Sequence, residues 1–319
     1  MYVPPSGSTP GPMMDMRARL RPMGIGDILD ETFRLYRENF TLFVATCAVL
    51  EVPVQIVNFL IRQTAPVAPT LPPGAGITNA QMQAFLSSMA ASGSAGGVVG
   101  LLVALASVFI TAALAVVISN RYLSRTVTVG EAYRATLNRI GSLLLAIIWI
   151  AVRFIAVIVA IGIIAGVLIA IHLGPLAVVV GLAGFALLIY FLVSWALISQ
   201  VIMLENVSGG SASRRSRELI RGYWWKTLGL LILVWLLVTI LTSIPTVVIG
   251  AIVSSGVGTL AVRLLITGIV GLIIGVLVQP ITIAATSLLF YDLKIRKEAF
   301  DLEAMVQQAG APTPTVLYQ

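Results

Sequence analysis

Residues 142–204 read SLLLAIIWIAVRFIAVIVAIGIIAGVLIAIHLGPLAVVVGLAGFALLIYFLVSWALISQVIML, and Arg153 is the only charged residue among them. One membrane-spanning helix needs about 20 apolar residues, so this stretch is far longer than one span requires. Near its middle, His172-Leu173-Gly174-Pro175 contains the turn-forming residues Gly and Pro. We therefore predict two transmembrane helices joined by a tight turn.

The composition of the whole chain places it in the same class. Of its 319 residues, 58% are hydrophobic and 10% are charged, whereas an average soluble domain has about 25% charged residues. Six stretches are apolar and long enough to cross a bilayer: 40–61, 97–119, 142–171, 176–204, 227–250 and 264–290. The predicted fold class is an all-α integral membrane protein with six transmembrane helices.

The basic residues are distributed unevenly around these stretches. Of the 20 Lys and Arg, 17 lie on one side of the membrane if there are six spans, and the others are Arg62, Arg153 and Arg263. The 17 are Arg17, Arg19, Arg21, Arg34, Arg37, Arg121, Arg125, Arg134, Arg139, Arg214, Arg215, Arg217, Arg221, Lys226, Lys294, Arg296 and Lys297. The positive-inside rule makes that side cytoplasmic, which predicts a multi-pass cell-membrane protein with both termini in the cytoplasm. Because topology explains the net charge of +7, we expect no nucleic-acid partner.

Three stretches on the predicted cytoplasmic side begin alike, and each runs into a span. They are residues 24–27, 128–131 and 208–211. Thr128 and Glu131 have the spacing of a capping box, which predicts that a helix begins there. The pattern indicates one interfacial amphipathic helix followed by a transmembrane hairpin, present three times. The alternative is that any helix entering a bilayer looks amphipathic.

The first of these helices has a predicted apolar face and a predicted charged face. Asp30, Arg34 and Glu38 have i,i+4 spacing on the charged face, which favours ion pairs between them. An apolar face on a short basic helix is typical of a helix lying in the membrane interface. The residues of that face are Ile25, Leu29, Phe33, Tyr36 and Phe40.

The division of the chain follows from these spans. Residues 1–20 are predicted to form a disordered N-terminal tail, residues 21–307 the membrane domain, and residues 308–319 a flexible C-terminal tail. Residues 63–96 are rich in Pro, Ala, Gly and Ser and are predicted to form a mobile external loop, with one short helix over 80–89. A separate cytoplasmic helix is expected over 292–307.

Ionisable residues within a span are costly and mark candidate sites. Glu51 and Arg153 each lie 11 residues past the start of a span that leaves the cytoplasmic side, at a depth of roughly 16 Å. Equal depth and opposite charge predict an ion pair between the first and third spans. Gln55 and Asn58 lie one and two turns beyond Glu51 and extend a polar face. This group has either a packing role or a role as a substrate or proton site.

Several kinds of chemistry lack the residues they need. His172 is the only histidine and Cys47 the only cysteine, so a histidine cluster, a thiolate metal site and a disulfide framework are excluded. No phosphate-binding loop, dinucleotide fingerprint or nucleophile elbow is present. We expect no catalytic residue, no metal and no cofactor.

Three segments resemble hallmark segments of a known family. The first contains Leu20-Arg21-Pro22, Gly26-Asp27-Ile28-Leu29-Asp30 and Phe33-Arg34-Leu35-Tyr36-Arg37. The second contains Glu205-Asn206-Val207, Arg215-Ser216, Gly222-Tyr223-Trp224 and Leu228-Gly229, and the third contains Tyr291-Asp292-Leu293-Lys294-Ile295-Arg296-Lys297-Glu298 and Phe300-Asp301-Leu302. Over about residues 20–305 the chain thus resembles the prokaryotic membrane-protein group named after the membrane domain of glycerophosphoryl diester phosphodiesterase.

This resemblance implies a fold and a membrane location. In bifunctional members of the group, hydrolysis is assigned to a separate soluble domain with paired histidines and metal-binding carboxylates. The resemblance therefore implies no esterase activity for a chain with one histidine.

Three functions are compatible with these features. The first is a non-catalytic membrane module that binds membrane lipids, or a protein partner at the cytoplasmic face. The second is a transporter or channel subunit with a polar path near Glu51 and Arg153. The third is an enzyme that acts on lipids.

Overall fold

The computed structural model describes residues 22–64, 79–207, 209–254 and 259–308, and every regular element within them is an α-helix. Six stretches of helix are long and apolar enough to span a bilayer: Phe40–Ile61, Gly100–Tyr122, Ile140–Ala170, Gly174–Leu204, Trp224–Ala251 and Leu265–Glu298. The predicted class, an all-α membrane protein with six spans, is confirmed. The predicted tail 1–20 and all but the first residue of the predicted tail 308–319 lie outside the described residues.

The helices follow one another in three groups. A short helix α1 (Ile25–Glu38) leads into α2 (Phe40–Thr64) and α3 (Asn79–Tyr122). A second short helix α4 (Val129–Leu137) leads into α5 (Ile140–Ala170) and α6 (Gly174–Ser194), which continues through a turn into α7 (Ile198–Leu204). A third short helix α8 (Gly209–Ile220) leads into α9 (Trp224–Ser254) and α10 (Leu260–Gln308). Short helices stand at the three predicted positions, and their origin in a sequence repeat stays a prediction.

The buried core is concentrated at one end of the helix bundle. We call it the basic end, because it is the end to which 17 of the 20 Lys and Arg are assigned. There α1 packs against α10, α4 against α3, and α8 against α5 and α7. Ile28, Leu219 and Leu293 of these helices are completely buried. Further along the spans large apolar side chains face outward, and Leu182 and Val247 are 66% and 70% exposed. An outward apolar surface of this kind is suited to lipid tails, which are as apolar as the side chains themselves.

Helix α1 buries a face beside the predicted one. Ile28, Thr32 and Leu35 are buried. Of the predicted apolar face, Ile25, Leu29 and Tyr36 are partly buried against the same core, and Phe40 is 44% exposed. The pattern missed this face because Thr32 is polar. Its hydroxyl donates to the Ile28 carbonyl at 2.7 Å, so the side chain satisfies its polar group within the helix and can be buried.

Two local predictions about the short helices have different outcomes. The capping box of α4 is confirmed, because Thr128 Oγ1 accepts the Glu131 backbone N–H and Glu131 Oε2 accepts the Thr128 N–H at 2.8 Å. The charge pairs at i,i+4 on α1 are wrong. Arg34 Nη2 instead lies 2.6 Å from Oε1 of Glu31, at i,i+3 spacing, which brings side chains together equally well.

The fourth predicted span is interrupted. Helix α6 ends at Ser194 and α7 begins at Ile198, where the Ile198 N–H bonds to the Trp195 carbonyl at 3.2 Å. The Ser194 carbonyl accepts the hydroxyl of Ser216, on α8, at 2.9 Å. A side chain from another helix thus takes the carbonyl that a continuous helix would use internally.

Two helices are longer than predicted. The 44-residue α3 begins at Asn79, so much of the expected external loop 63–96, with its short helix 80–89, is part of the second span's helix. Ala, Gln and Met are strong helix formers and continue it. The 49-residue α10 contains the expected separate helix 292–307 as a continuation of the sixth span. No Gly or Pro lies between residues 281 and 308 to end it earlier.

Candidate functional site

Asp292 is a buried carboxylate that joins three parts of the basic end. It lies on α10 and is completely buried. Its Oδ1 accepts the backbone N–H of Met23 at 2.7 Å, and its two oxygens lie 3.0 and 3.1 Å from Nε of Arg296. Its Oδ2 also binds Nζ of Lys226. We call Met23, Lys226, Asp292 and Arg296 the Asp292 cluster.

The two cations of the Asp292 cluster also hold the carbonyl of Met23. Lys226 Nζ donates to it at 2.7 Å and Arg296 Nη2 at 3.0 Å. Met23 is only 5% exposed, so both of its backbone polar groups are paired where an unpaired one would be costly. The segment before α1 is thereby tied to the first turn of α9 and to α10.

A second set of charges, Glu205, Arg215, Lys294 and Glu298, forms the Glu205 cluster. Arg215 binds both oxygens of Glu205, through Nε at 2.7 Å and Nη2 at 3.1 Å. Lys294 Nζ lies 3.3 Å from Glu205 and 3.6 Å from Glu298. Burial acts to raise the pKa of Glu205, but the hydrogen bonds and charges of Arg215 and Lys294 outweigh it and hold that pKa below its ordinary value. The ionised carboxylate therefore links the end of α7 to α8 and α10.

Both clusters draw on the segments that carry the family resemblance. Met23 lies within the first segment, Glu205 and Arg215 within the second, and Asp292 and Lys294 within the third. The three segments did not predict these contacts, because a short motif does not state which residues touch. The available signal was Asp292 itself, since it lies two residues after the sixth apolar stretch in a chain with only 13 acidic residues.

The chemistry of the Asp292 cluster is that of an anchor. The carboxylate is completely buried, and donors from three segments of the chain occupy it. A buried charge with this many partners costs several kcal/mol to leave unpaired, so it holds its neighbours in one arrangement.

The predicted intramembrane polar residues lie in two separate surroundings. Glu51, on α2, accepts Nε2 of Gln55 at 2.9 Å, and Asn58 Nδ2 donates to Oε1 of Gln55 at 3.3 Å. Glu51 also lies against the backbone of α10, since a Cβ added at Gly275 would be 3.4 Å from its Oε1. These three polar side chains form a hydrogen-bonded row along α2.

Arg153 is not part of that row, and within the described residues it forms no ion pair with Glu51, so that predicted pair is wrong. Its Cζ lies 4.6 Å from the ring centroid of Trp149 and 5.8 Å from that of Trp195. Equal depth does not decide which helices are neighbours: α5 packs against α6 and α8, whereas α2 packs against α3 and α10. The negative faces of the two indoles stabilise the guanidinium in place of a carboxylate.

The cavity bordering the polar row is apolar. It has a volume of about 200 Å³, and apolar side chains such as Val52, Phe59 and Leu272 line it together with Gln55, whereas Glu51 does not. In the part of the chain that the structure describes, no three His, Cys, Asp or Glu side chains are placed to hold a metal ion.

Comparison with known proteins adds no relative to these observations. No protein-family model, no curated protein and no solved structure matches the chain. The resemblance to the membrane domain of glycerophosphoryl diester phosphodiesterase therefore stays a prediction based on the three segments.

Proposed function

We propose that this chain is a non-catalytic module of the cell membrane that binds membrane lipid or a protein partner through its basic end. In this proposal the basic end and both termini lie in the cytoplasm. The observation that carries it is the construction of the basic end, where one ion cluster joins the segment before α1 to α9 and α10, and a second joins α8 to α7 and α10. A surface held rigidly at the level of the lipid headgroups is suited to recognition, because little ordering is needed on binding.

An exposed aromatic residue adds to this surface. Trp225, in the first turn of α9, is 79% exposed. Indole rings favour the membrane interface and are frequent anchors in protein interfaces. Trp235, 10 residues further along the same helix, is 66% exposed and supplies a matched control towards the middle of the span.

Native mass spectrometry after purification in a mild detergent tests the proposal. We expect a lipid or a protein to be recovered reproducibly with the wild-type chain. Trp225→Ala should reduce that recovery, whereas Trp235→Ala should retain it. A chain that is always recovered bare would overturn the proposed function.

The orientation has its own test in a Cys47→Ala background. Leu173→Cys lies in the turn between α5 and α6, and Arg125→Cys lies between α3 and α4, at the opposite end of the spans. A maleimide that cannot cross membranes should label Leu173→Cys in intact cells and Arg125→Cys only after lysis. The reverse pattern would place the basic end outside.

A transport function has one observation in its favour, the row of Glu51, Gln55 and Asn58 within a span. Against it, the cavity bordering Gln55 is otherwise apolar. Glu51→Gln keeps the shape of the row and removes its charge. The module proposal expects this variant to retain lipid or partner at wild-type levels, whereas a transport site would require the carboxylate for solute movement in liposomes.

A further inference from the structure

A cavity of about 420 Å³ opens at the basic end between α6, α8 and the start of α9. Arg217 and Arg221 contribute its positive charge. Tyr190, Ile220 and Trp224 contribute its apolar and aromatic walls. A pocket with this combination can take a ligand that has an anionic group and an apolar part.

The two arginines lie on one face of the same helical segment. The backbone N–H of Arg221 donates to the carbonyl of Arg217 at 2.9 Å, so the helical hydrogen bonding of α8 continues to Arg221. Residues four apart on a helix are neighbours on its surface. Two guanidinium groups that line one cavity can both donate to a phosphate group, which accepts several N–H bonds at once.

Neither of these arginines is neutralised within the described residues. Arg215 binds Glu205, and Arg296 binds Asp292, but no ion pair of Arg217 or Arg221 is formed. Two unneutralised like charges at i,i+4 spacing destabilise a helix. A phosphate between them would remove that repulsion.

The aromatic wall provides a second observation. The rings of Tyr190 and Trp224 are stacked, with centroids 6.4 Å apart and planes at 22°. The indole Nε1 of Trp224 is buried and has no hydrogen-bond partner within the described residues. A buried N–H donor left without an acceptor is costly, and this one belongs to a residue that lines the cavity.

The surroundings favour a lipid as the source of the phosphate. Leu187 on α6 and Ile232 on α9 lie further along the two helices that border the cavity, and they are 42% and 53% exposed. They form the lipid-facing apolar surface next to the cavity, along which acyl chains can extend. A soluble phosphate ester would leave this surface unused.

Gly222 fixes the shape of the cavity. It lies in the turn between α8 and α9 and has φ +93°, a backbone conformation that residues other than glycine rarely adopt. The turn allows Arg221 and Trp224 to line the same cavity although they belong to successive elements.

We propose that this cavity binds the phosphoryl headgroup of an anionic phospholipid, with Arg217 and Arg221 as its phosphate ligands. The inference rests on the proposed function and makes it specific. The site lies in the interface, where Tyr and Trp side chains are enriched.

Titration of phosphatidylglycerol into the detergent-solubilised chain, followed by native mass spectrometry, tests the site. We expect one phosphatidylglycerol to bind in preference to phosphatidylcholine. Arg217→Gln should weaken it about tenfold, because the loss of one charge-assisted contact is worth that much, and Arg217→Gln with Arg221→Gln more than that. Arg214→Gln on the same helix removes equal charge outside the cavity and should bind normally. Melting temperatures without lipid would show that each variant is folded.

The outcomes separate the inference from the proposed function. Equal weakening by Arg214→Gln would show general surface attraction and overturn the site. If the double variant retains the preference of the wild type, the site is overturned while lipid binding elsewhere stands. If the wild type binds neither lipid nor partner, the proposed function falls as well. Glycerol 3-phosphate and inorganic phosphate are added as soluble competitors of phosphatidylglycerol. Full competition by either one would overturn the lipid as the source of the phosphate.

Discussion

Replacement of Asp292 by asparagine tests the role of the buried carboxylate most directly. The amide keeps the shape of the side chain and can still accept the N–H of Met23. It removes the negative charge that faces both Lys226 and Arg296. Breaking a buried ion pair by removing one partner costs about 3–5 kcal/mol. Because the Lys226 and Arg296 side chains are 17% and 27% exposed, water screens part of the loss, and we expect about 3 kcal/mol.

Thermal unfolding of the purified chain in mild detergent measures this loss. For a chain of this size, about 3 kcal/mol corresponds to a fall of roughly 5–10 °C in Tm. Glu298→Gln is the matched control, since Glu298 is 51% exposed and its nearest cations are 3.6 and 3.7 Å away. That variant should lose about 1 kcal/mol or less.

A double variant isolates the charge from the shape. Asp292→Asn leaves two cations facing a neutral amide, and Lys226→Met added to it removes one of them. We expect the double variant to unfold at a higher temperature than the sum of the two single losses predicts. Strict additivity, or an Asp292→Asn variant that melts with the wild type, would refute the assignment of Asp292 as an anchor.

Three further predictions concern the short helices and the charge of Glu205. Ser216→Ala removes the donor to the buried Ser194 carbonyl and should lower the free energy of unfolding by about 1–3 kcal/mol; an unchanged Tm would mean that this bond does not hold the break between α6 and α7. Thr128→Ala removes the cap of α4 and should cost about 1 kcal/mol, whereas Thr128→Ser should restore it. The lowered pKa of Glu205 means that its contribution to stability is complete above about pH 4.3 and is lost as the pH falls through the lower pKa of the folded protein. Below that pH the Tm of Glu205→Gln should fall less steeply than that of the wild type, and parallel curves would contradict the role of Arg215 as the partner of Glu205 in this effect.

The spans could be predicted from hydropathy because a long apolar segment is stable in the lipid of a bilayer. The six predicted stretches differ from those in the structure by a few residues at most ends, and Thr128 with Glu131 gave the start of α4 correctly. The errors in length have local causes. Nothing in the sequence of α10 ends the helix at the membrane boundary, so it continues, and the break after Ser194 depends on Ser216, a residue distant in sequence.

The position of Arg153 shows why contacts between spans could not be predicted in the same way. Depth along a helix follows from counting residues, and both Glu51 and Arg153 lie well within their spans. The partner of a charge, however, depends on which helix faces it, and a guanidinium can be stabilised by a carboxylate or by an aromatic face. Trp149 lies one turn before Arg153 on the same helix and was therefore always within reach, whereas Glu51 required two particular helices to be adjacent.

The features suited to recognising a partner lie at the basic end rather than along the spans. Outward-facing side chains along the spans contact lipid tails, and any apolar side chain is compatible with that contact. The identity of these side chains therefore indicates little about a specific partner. At the basic end the carboxylates of Asp292 and Glu205 are neutralised by specific cations. Arg217 and Arg221 form no ion pair among the described residues, and both line the same cavity. A phosphate ligand supplies what the protein itself does not place beside them.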